Sequence, residues 1–159
     1  MMRTNIYIKN RKISISEKWD RRFLELAKHI SQWSKDPSIK TCAVITDGKN
    51  RIISTGYNGL SQKVEDTEDR YKNREIKLSI ILHCEENAIL FAKQDLTGCT
   101  LYTWPFMSCS KCASLVIQSG IVRCVASKTP EDIDSRWHDS LELSKQLFKE
   151  AGVKVDIYE

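Results

Sequence analysis

Apolar residues recur at helical spacing in the first third of the chain, where Trp19, Phe23, Leu26, Ala27 and Ile30 share one face, so a helix is expected over residues 16–34. Asp36-Pro37 ends it, because the residue before a proline is steered away from helical backbone. The period then falls to two. Residues 41–46 and 51–57 are rich in β-branched side chains and flank Asp47-Gly48-Lys49-Asn50, which predicts a hairpin closed by Asn58-Gly59. Residues 60–74 are polar and strongly charged with no regular period; they predict a surface excursion carrying at most a short helix around residues 68–77.

Beyond that excursion the alternation becomes regular. A helix is expected over residues 84–93, a strand over 99–104, a helix over 109–119 stopped by Gly120, and a strand over 121–127. Leu143, Leu147, Phe148 and Ala151 then mark a helix over residues 139–151, with Gly152 as its stop and a closing strand over 153–158. The order α-β-β-α-β-α-β-α-β predicts an α/β fold: a mixed five-stranded sheet with helices on both faces. Residues 1–13 are basic and unpatterned, so at most a short irregular N-terminal arm is expected there. The chain shows no repeat or linker, and 159 residues suit a single domain over 1–159.

Charge and cysteine usage narrow the chemistry. The net charge of +4 is mild and its charged residues are interleaved, which does not announce a nucleic-acid surface and suits a small anionic ligand at least as well. No apolar h-region follows the amino terminus, and no apolar run approaches the roughly 18 residues of a membrane span. A soluble, cytoplasmic protein without a membrane partner is expected. In that setting the six cysteines are expected to stay reduced. Cys42, Cys84, Cys99 and Cys124 read as plain thiols among apolar neighbours.

The remaining two carry the candidate chemistry. Cys109 and Cys112 form C-x-x-C at a helix start, where both thiolates can reach one metal, and His83 can supply a third, neutral ligand. Three protein ligands leave one tetrahedral position open, which marks a catalytic rather than a structural zinc. Glu85, two residues from His83, is then placed to move protons. Each piece has a plainer reading: a histidine beside an apolar run is usually a core or edge residue, a lone C-x-x-C is often redox or incidental, and a glutamate in a first helical turn is usually a dipole partner. Together, H-x-E opening one helix and C-x-x-C opening the next, with a strand between, is the combination of zinc deaminases acting on nucleobases.

The segments Ser34-Lys35-Asp36-Pro37, Ala43-Val44-Ile45, Gly56-Tyr57-Asn58-Gly59, His83-Cys84-Glu85-Glu86-Asn87-Ala88-Ile89, Cys109-Ser110-Lys111-Cys112-Ala113 and Gln118-Ser119-Gly120-Ile121 resemble the deoxycytidylate (dCMP) deaminases of the cytidine deaminase superfamily. H-x-E and C-x-x-C would fit any superfamily member. S-K-D-P, G-Y-N-G and His138-Asp139-Ser140 point to the deoxycytidylate branch. The resemblance implies a cytidine deaminase-like three-layer fold and one zinc ion per subunit, held by His83, Cys109 and Cys112. It implies Glu85 as proton shuttle in the hydrolysis of dCMP, or of a 5-substituted dCMP, to the uridylate and ammonia. By the same match Asn58 would meet the deoxyribose 3′-hydroxyl, with the alternative that Asn-Gly is simply a turn. The backbone around Thr103, Trp104 and Pro105 would face the base, with Trp104 either stacking on it or filling core, and Cys84 would lie beside it. Ser34, Lys35 and Lys40 would lie near the 5′-phosphate, with the alternative that each lysine is simply solvated. A homo-oligomer, usually a hexamer in the family, and dCTP and dTTP as effectors are implied in the same way.

The chain departs from the family pattern at several positions. Cys84 replaces the usual alanine between His and Glu, Ser108 replaces the proline before the first ligand cysteine, and Cys42 replaces a glycine. Residues 60–82 lack the usual proline-containing continuation and hold no cysteine or histidine, so a second zinc site is not expected there. Two rival classes remain. A nucleic-acid deaminase of the same fold would need a basic, aromatic-lined groove, to which Trp33, Trp104 and Trp137 could contribute. A non-catalytic zinc module that binds nucleotide would have no use for Glu85.

Overall fold

The computed structural model describes residues 6–8, 11–13 and 15–159. Within the first 13 residues, β1 (Ile6–Ile8) and β2 (Arg11–Ile13) pair antiparallel with Ile6 opposite Ile13, a two-stranded ribbon in place of the expected irregular arm. Three residues are too few to display a period of two, although isoleucine and tyrosine favour strands. Helix α1 (Ile15–Ser31) follows and stops three residues short of the expected end.

β3 (Cys42–Thr46) and β4 (Ile52–Tyr57) form the expected antiparallel hairpin. Its turn is held by Asp47, whose Oδ1 accepts the backbone N–H of Lys49 at 2.8 Å and of Arg51 at 2.9 Å. The excursion folds into two short helices, α2 (Glu68–Lys72) and α3 (Arg74–Ile80). Asn73 separates them, its side chain accepting the free N–H of Ile76 at 3.1 Å as an N-cap.

The regular half follows as α4 (Cys84–Ala92), β5 (Thr100–Trp104), α5 (Ser110–Gln118), β6 (Arg123–Ser127), α6 (Glu131–Ala151) and β7 (Lys154–Tyr158). Helix α6 begins eight residues earlier than its apolar stripe suggests, directly after Pro130. Its first two turns are largely charged and carry little of that stripe.

The main sheet runs β4-β3-β5-β6-β7, antiparallel across β3 and parallel from β5 to β7. Strand alternation sends Val44, Tyr102 and Val125 to one face, where they meet Phe23, Leu24 and Ala27 of α1. Ala43, Ile45 and Leu101 face the other way, toward Ala88 of α4, Val116 of α5 and Phe148 of α6. The result is the expected three-layer α/β fold.

Helix α4 lies unusually close to the sheet at Gly56. A Cβ there would sit 2.4 Å from Ala88 N and 2.6 Å from Cys84 O, both backbone atoms that cannot turn aside. Gly56→Ala is therefore expected to push α4 off β4 and to cost about 2–3 kcal/mol. Denaturant unfolding measures the loss, and a variant as stable as the parent would show that α4 has room to move.

Candidate active site

The first turns of α4 and α5 converge on one place. His83 occupies the N-cap of α4, where its own N–H is held by Glu86 Oε2 at 2.6 Å. Cys109 occupies the N-cap of α5, and Cys112 lies one turn further on. Ser140 of α6 braces this turn, its Oγ accepting the N–H of Ser110 at 3.0 Å.

His83 Nδ1 lies 3.6 Å from Cys109 Sγ and 3.4 Å from Cys112 Sγ. All three donor atoms fall within 4.8 Å of one another, and among the described residues no other such cluster of three occurs. The donor set suits zinc, which prefers thiolate sulfur and imidazole nitrogen. Its electrostatics also call for a cation. A hydrogen bond from the Cys112 thiol, aided by His83, holds Cys109 well below the ordinary thiol range despite burial. In giving that bond, and in being buried, Cys112 is pushed upward. Both sulfurs become thiolates together only beside a positive charge.

Glu85 is buried at 5 % exposure beside this cluster, and its Oε2 accepts the Cys84 thiol at 3.2 Å. His83, Cys84, Glu85 and Cys109 line a cavity of about 300 Å³, the lower end of the range for small-molecule sites. Ile39, Leu78, Ile81, Phe106 and Trp137 supply its apolar surface. Trp137 stands edge-on to His83, with ring centroids 6.4 Å apart, and leans on Phe106 at 5.9 Å. Arg74, Lys77 and Arg136 add positive charge.

Of the residues matched to substrate contacts, Cys84 and Asn58 line this cavity. The Asn58 amide is already engaged: Oδ1 accepts Thr41 N–H at 2.9 Å, and Nδ2 donates to Ile39 O at 2.9 Å and to Asp36 Oδ2 at 3.4 Å. It ties the 34–41 loop to the end of the hairpin.

Ser34, Lys40, Thr103 and Trp104 do not line the cavity. Ser34 is buried, its Oγ donating to Asn58 O at 2.8 Å. Lys40 Nζ donates to Ser34 O, and Lys40 borders an adjoining depression that shares Asp36, Ser38, Ile39 and Arg136 with the cavity. Trp104 shares its side of β5 with Tyr102, so strand alternation turns its ring toward α1, where Lys28 Nζ lies 5.1 Å from the ring centroid. Thr103 is buried within the sheet. Lys35 pairs with Asp66 at 2.8 Å.

Sequence reasoning passed over Arg74, Lys77, Phe106 and Arg136. Lys77 shows why: it is 6 % exposed and bonded to Asp36 at 3.1 Å, 41 residues away, although it lies in a stretch that reads as solvated. Of the departures from the family pattern, Ser108 is buried, and its Oγ is the one buried side-chain polar atom without a partner among the described residues. All six cysteines are free and buried.

Comparison with known proteins agrees with this geometry. Residues 17–128 match the family model described as the cytidine and deoxycytidylate deaminase zinc-binding region. A relative from Aliivibrio fischeri, described as an uncharacterized deaminase in the luxG 3′ region, is 46% identical over 87% of this chain and 92% of its own length. The deoxycytidylate deaminase of Mus musculus is 33% identical over 85% of this chain and 76% of its own. Among solved structures, the dCMP deaminase of cyanophage S-TIM5 in complex with dCMP and dUMP superposes with a TM-score of 0.68 at 21% identity. That alignment covers 91% of this chain and 98% of the phage chain, and it shows the shared fold.

Proposed function

This chain belongs to the family of cytidine and deoxycytidylate deaminases, and on that premise we propose that it hydrolyses dCMP, or a 5-substituted dCMP, to the corresponding uridylate and ammonia. One observation carries the reading: a buried carboxylate, Glu85, lies beside the converging His83, Cys109 and Cys112 donors and, with His83 and Cys109, lines a ligand-sized cavity.

His83, Cys109 and Cys112 would hold one zinc ion per subunit. Bound there, zinc supplies a Lewis acid that lowers the pKa of water from about 15.7 to about 7. Glu85 does the proton work. As water oxygen bonds to C4 of the cytosine, Glu85 takes a proton from the water and delivers it to ring N3. It then takes the second proton from the new hydroxyl and gives it to the exocyclic amine, which leaves as ammonia while C4 becomes a carbonyl. Phe106 and Trp137 offer flat apolar surface for the base, and Leu78 and Ile81 add further apolar lining.

We read residues 1–159 as one deaminase domain. No helix among the described residues is long and apolar enough to cross a membrane, and we place the enzyme in the cytoplasm, where its deoxynucleotide substrate is found. A homo-oligomer, hexameric on the family pattern, with dCTP and dTTP as effectors, belongs to the same reading. Leu90 and Phe91, about half exposed on α4, support an assembly surface. Light scattering with and without each effector tests both.

The deciding experiment is ammonia release by zinc-loaded protein from dCMP, 5-methyl-dCMP, 5-hydroxymethyl-dCMP, CMP, dCTP, deoxycytidine and a cytosine-containing single-stranded oligonucleotide. Preference for a deoxycytidine monophosphate is expected. Turnover of the oligonucleotide alone would identify a nucleic-acid deaminase, and nucleotide binding without ammonia from any compound would identify a non-catalytic module.

A further inference from the structure

We propose that Arg74 and Arg136 select the substrate by clamping its 5′-monophosphate at the cavity above Glu85, an inference that rests on the deaminase reading. The positions matched by sequence to the phosphate are otherwise occupied: Lys35 pairs with Asp66, and Lys40 bonds to Ser34 O. Of the three cations that line the cavity, Lys77 is also spent. Its ammonium lies 3.1 Å from Asp36 Oδ1 and 3.2 Å from Ser38 Oγ, and this pair is buried on both sides. Arg74 and Arg136 differ from it. Both are exposed, both line the cavity, and among the described residues neither guanidinium has an ion-pair partner.

Two unneutralised guanidinium groups match a phosphate monoester, which carries about −1.5 to −2 charges at pH 7. The guanidinium fork also fits phosphate oxygens in pairs, as a lysine ammonium does not. The two side chains come from elements fixed independently of ligand. Arg74 stands at the start of α3, which the buried Lys77–Asp36 pair fastens to the 34–41 loop. Arg136 lies on α6, one turn before the Ser140–Ser110 contact that fixes this helix to the zinc-site turn of α5. The backbone is therefore in place before binding, and the ordering cost is confined to the two arginine side chains. The excursion, which holds no cysteine or histidine, thus contributes a substrate-selecting wall through its residues 74–81.

The test compares dCMP, deoxycytidine 3′-monophosphate and deoxycytidine as substrates of the zinc-loaded protein and of Arg74→Gln, Arg136→Gln and the double variant. The unsubstituted protein should prefer dCMP over both other compounds. Each single substitution should lower the ratio of kcat/KM for dCMP to that for deoxycytidine by about 10-fold or more, and the double by about 100-fold or more. Calorimetric affinity for the product dUMP should weaken in parallel, with zinc content still one per chain. A ratio within about threefold of the parent in the double variant, by the same reckoning of contact strength, would overturn the clamp, as would equal use of the 3′- and 5′-phosphates. Glutamine keeps a polar side chain at two exposed positions, so the folded protein remains available for the measurement. Failure of the deaminase reading looks different: no ammonia from any of the three compounds.

Discussion

Glu85→Gln is expected to keep its zinc and to lose turnover by about 10²–10⁴-fold. The substitution is nearly isosteric, and the amide carbonyl can still accept the Cys84 thiol that Glu85 Oε2 accepts at 3.2 Å. What it removes is the ability to take up a proton and release it. The three converging donor atoms belong to His83, Cys109 and Cys112, so metal content should be unaffected. Ammonia release and elemental analysis of the same sample give both numbers. An active variant would remove Glu85 from the mechanism; an inactive one that had also lost its metal would place Glu85 in metal binding.

Asp20→Ala is expected to cost about 3 kcal/mol of stability, the lower end of the range for a broken buried pair, because the Tyr102 and Tyr158 hydroxyls lose their acceptor while Arg123 keeps Asp156 at 2.6 Å. Asp20 is 1 % exposed on α1. Its Oδ1 accepts Arg123 Nη1 and the Tyr102 hydroxyl, both at 2.9 Å, and its Oδ2 accepts Arg123 Nη2 and the Tyr158 hydroxyl, both at 2.7 Å. One carboxylate thereby joins α1 to β5, β6 and β7. The loss is large against the 5–15 kcal/mol typical of whole domains.

Burial alone would raise the Asp20 carboxyl, but Arg123 and the two tyrosines together outweigh it and hold the group below its ordinary value. A carboxylate depressed in the folded state contributes stability that is fully present above its unfolded pKa of about 3.9 and is lost as pH falls through the folded value. Denaturant unfolding at neutral pH should therefore show the full difference between parent and variant, and the gap should narrow below about pH 4. A variant within 1 kcal/mol of the parent at neutral pH would mean that the network contributes little, as many exposed ion pairs do.

Asp20 also illustrates a limit of reading the chain alone. Its position on a helix of apolar period is visible, but its partners lie 82, 103 and 138 residues away. Lys77 and Arg74 belong to the same stretch of polar sequence, and nothing local tells them apart; one is neutralised in the interior and the other left open to a ligand. Trp104 reads as a base-stacking candidate until the sheet alternation turns it toward α1.

By itself the sequence determined the alternation of helices and strands from residue 84 onward, the hairpin over residues 42–57, and the grouping of His83, Glu85, Cys109 and Cys112 at the starts of two helices. These are local matters: a period of 3.6 or 2, a turn residue, a pair of cysteines one turn apart. The tertiary structure decided which cations reach the cavity, which aromatic rings line it, that Asn58 holds a loop, and that residues 74–81 form one of its walls. Those outcomes depend on contacts between segments far apart in the chain, where burial and charge pairing assign each side chain a role that its neighbours in sequence do not specify.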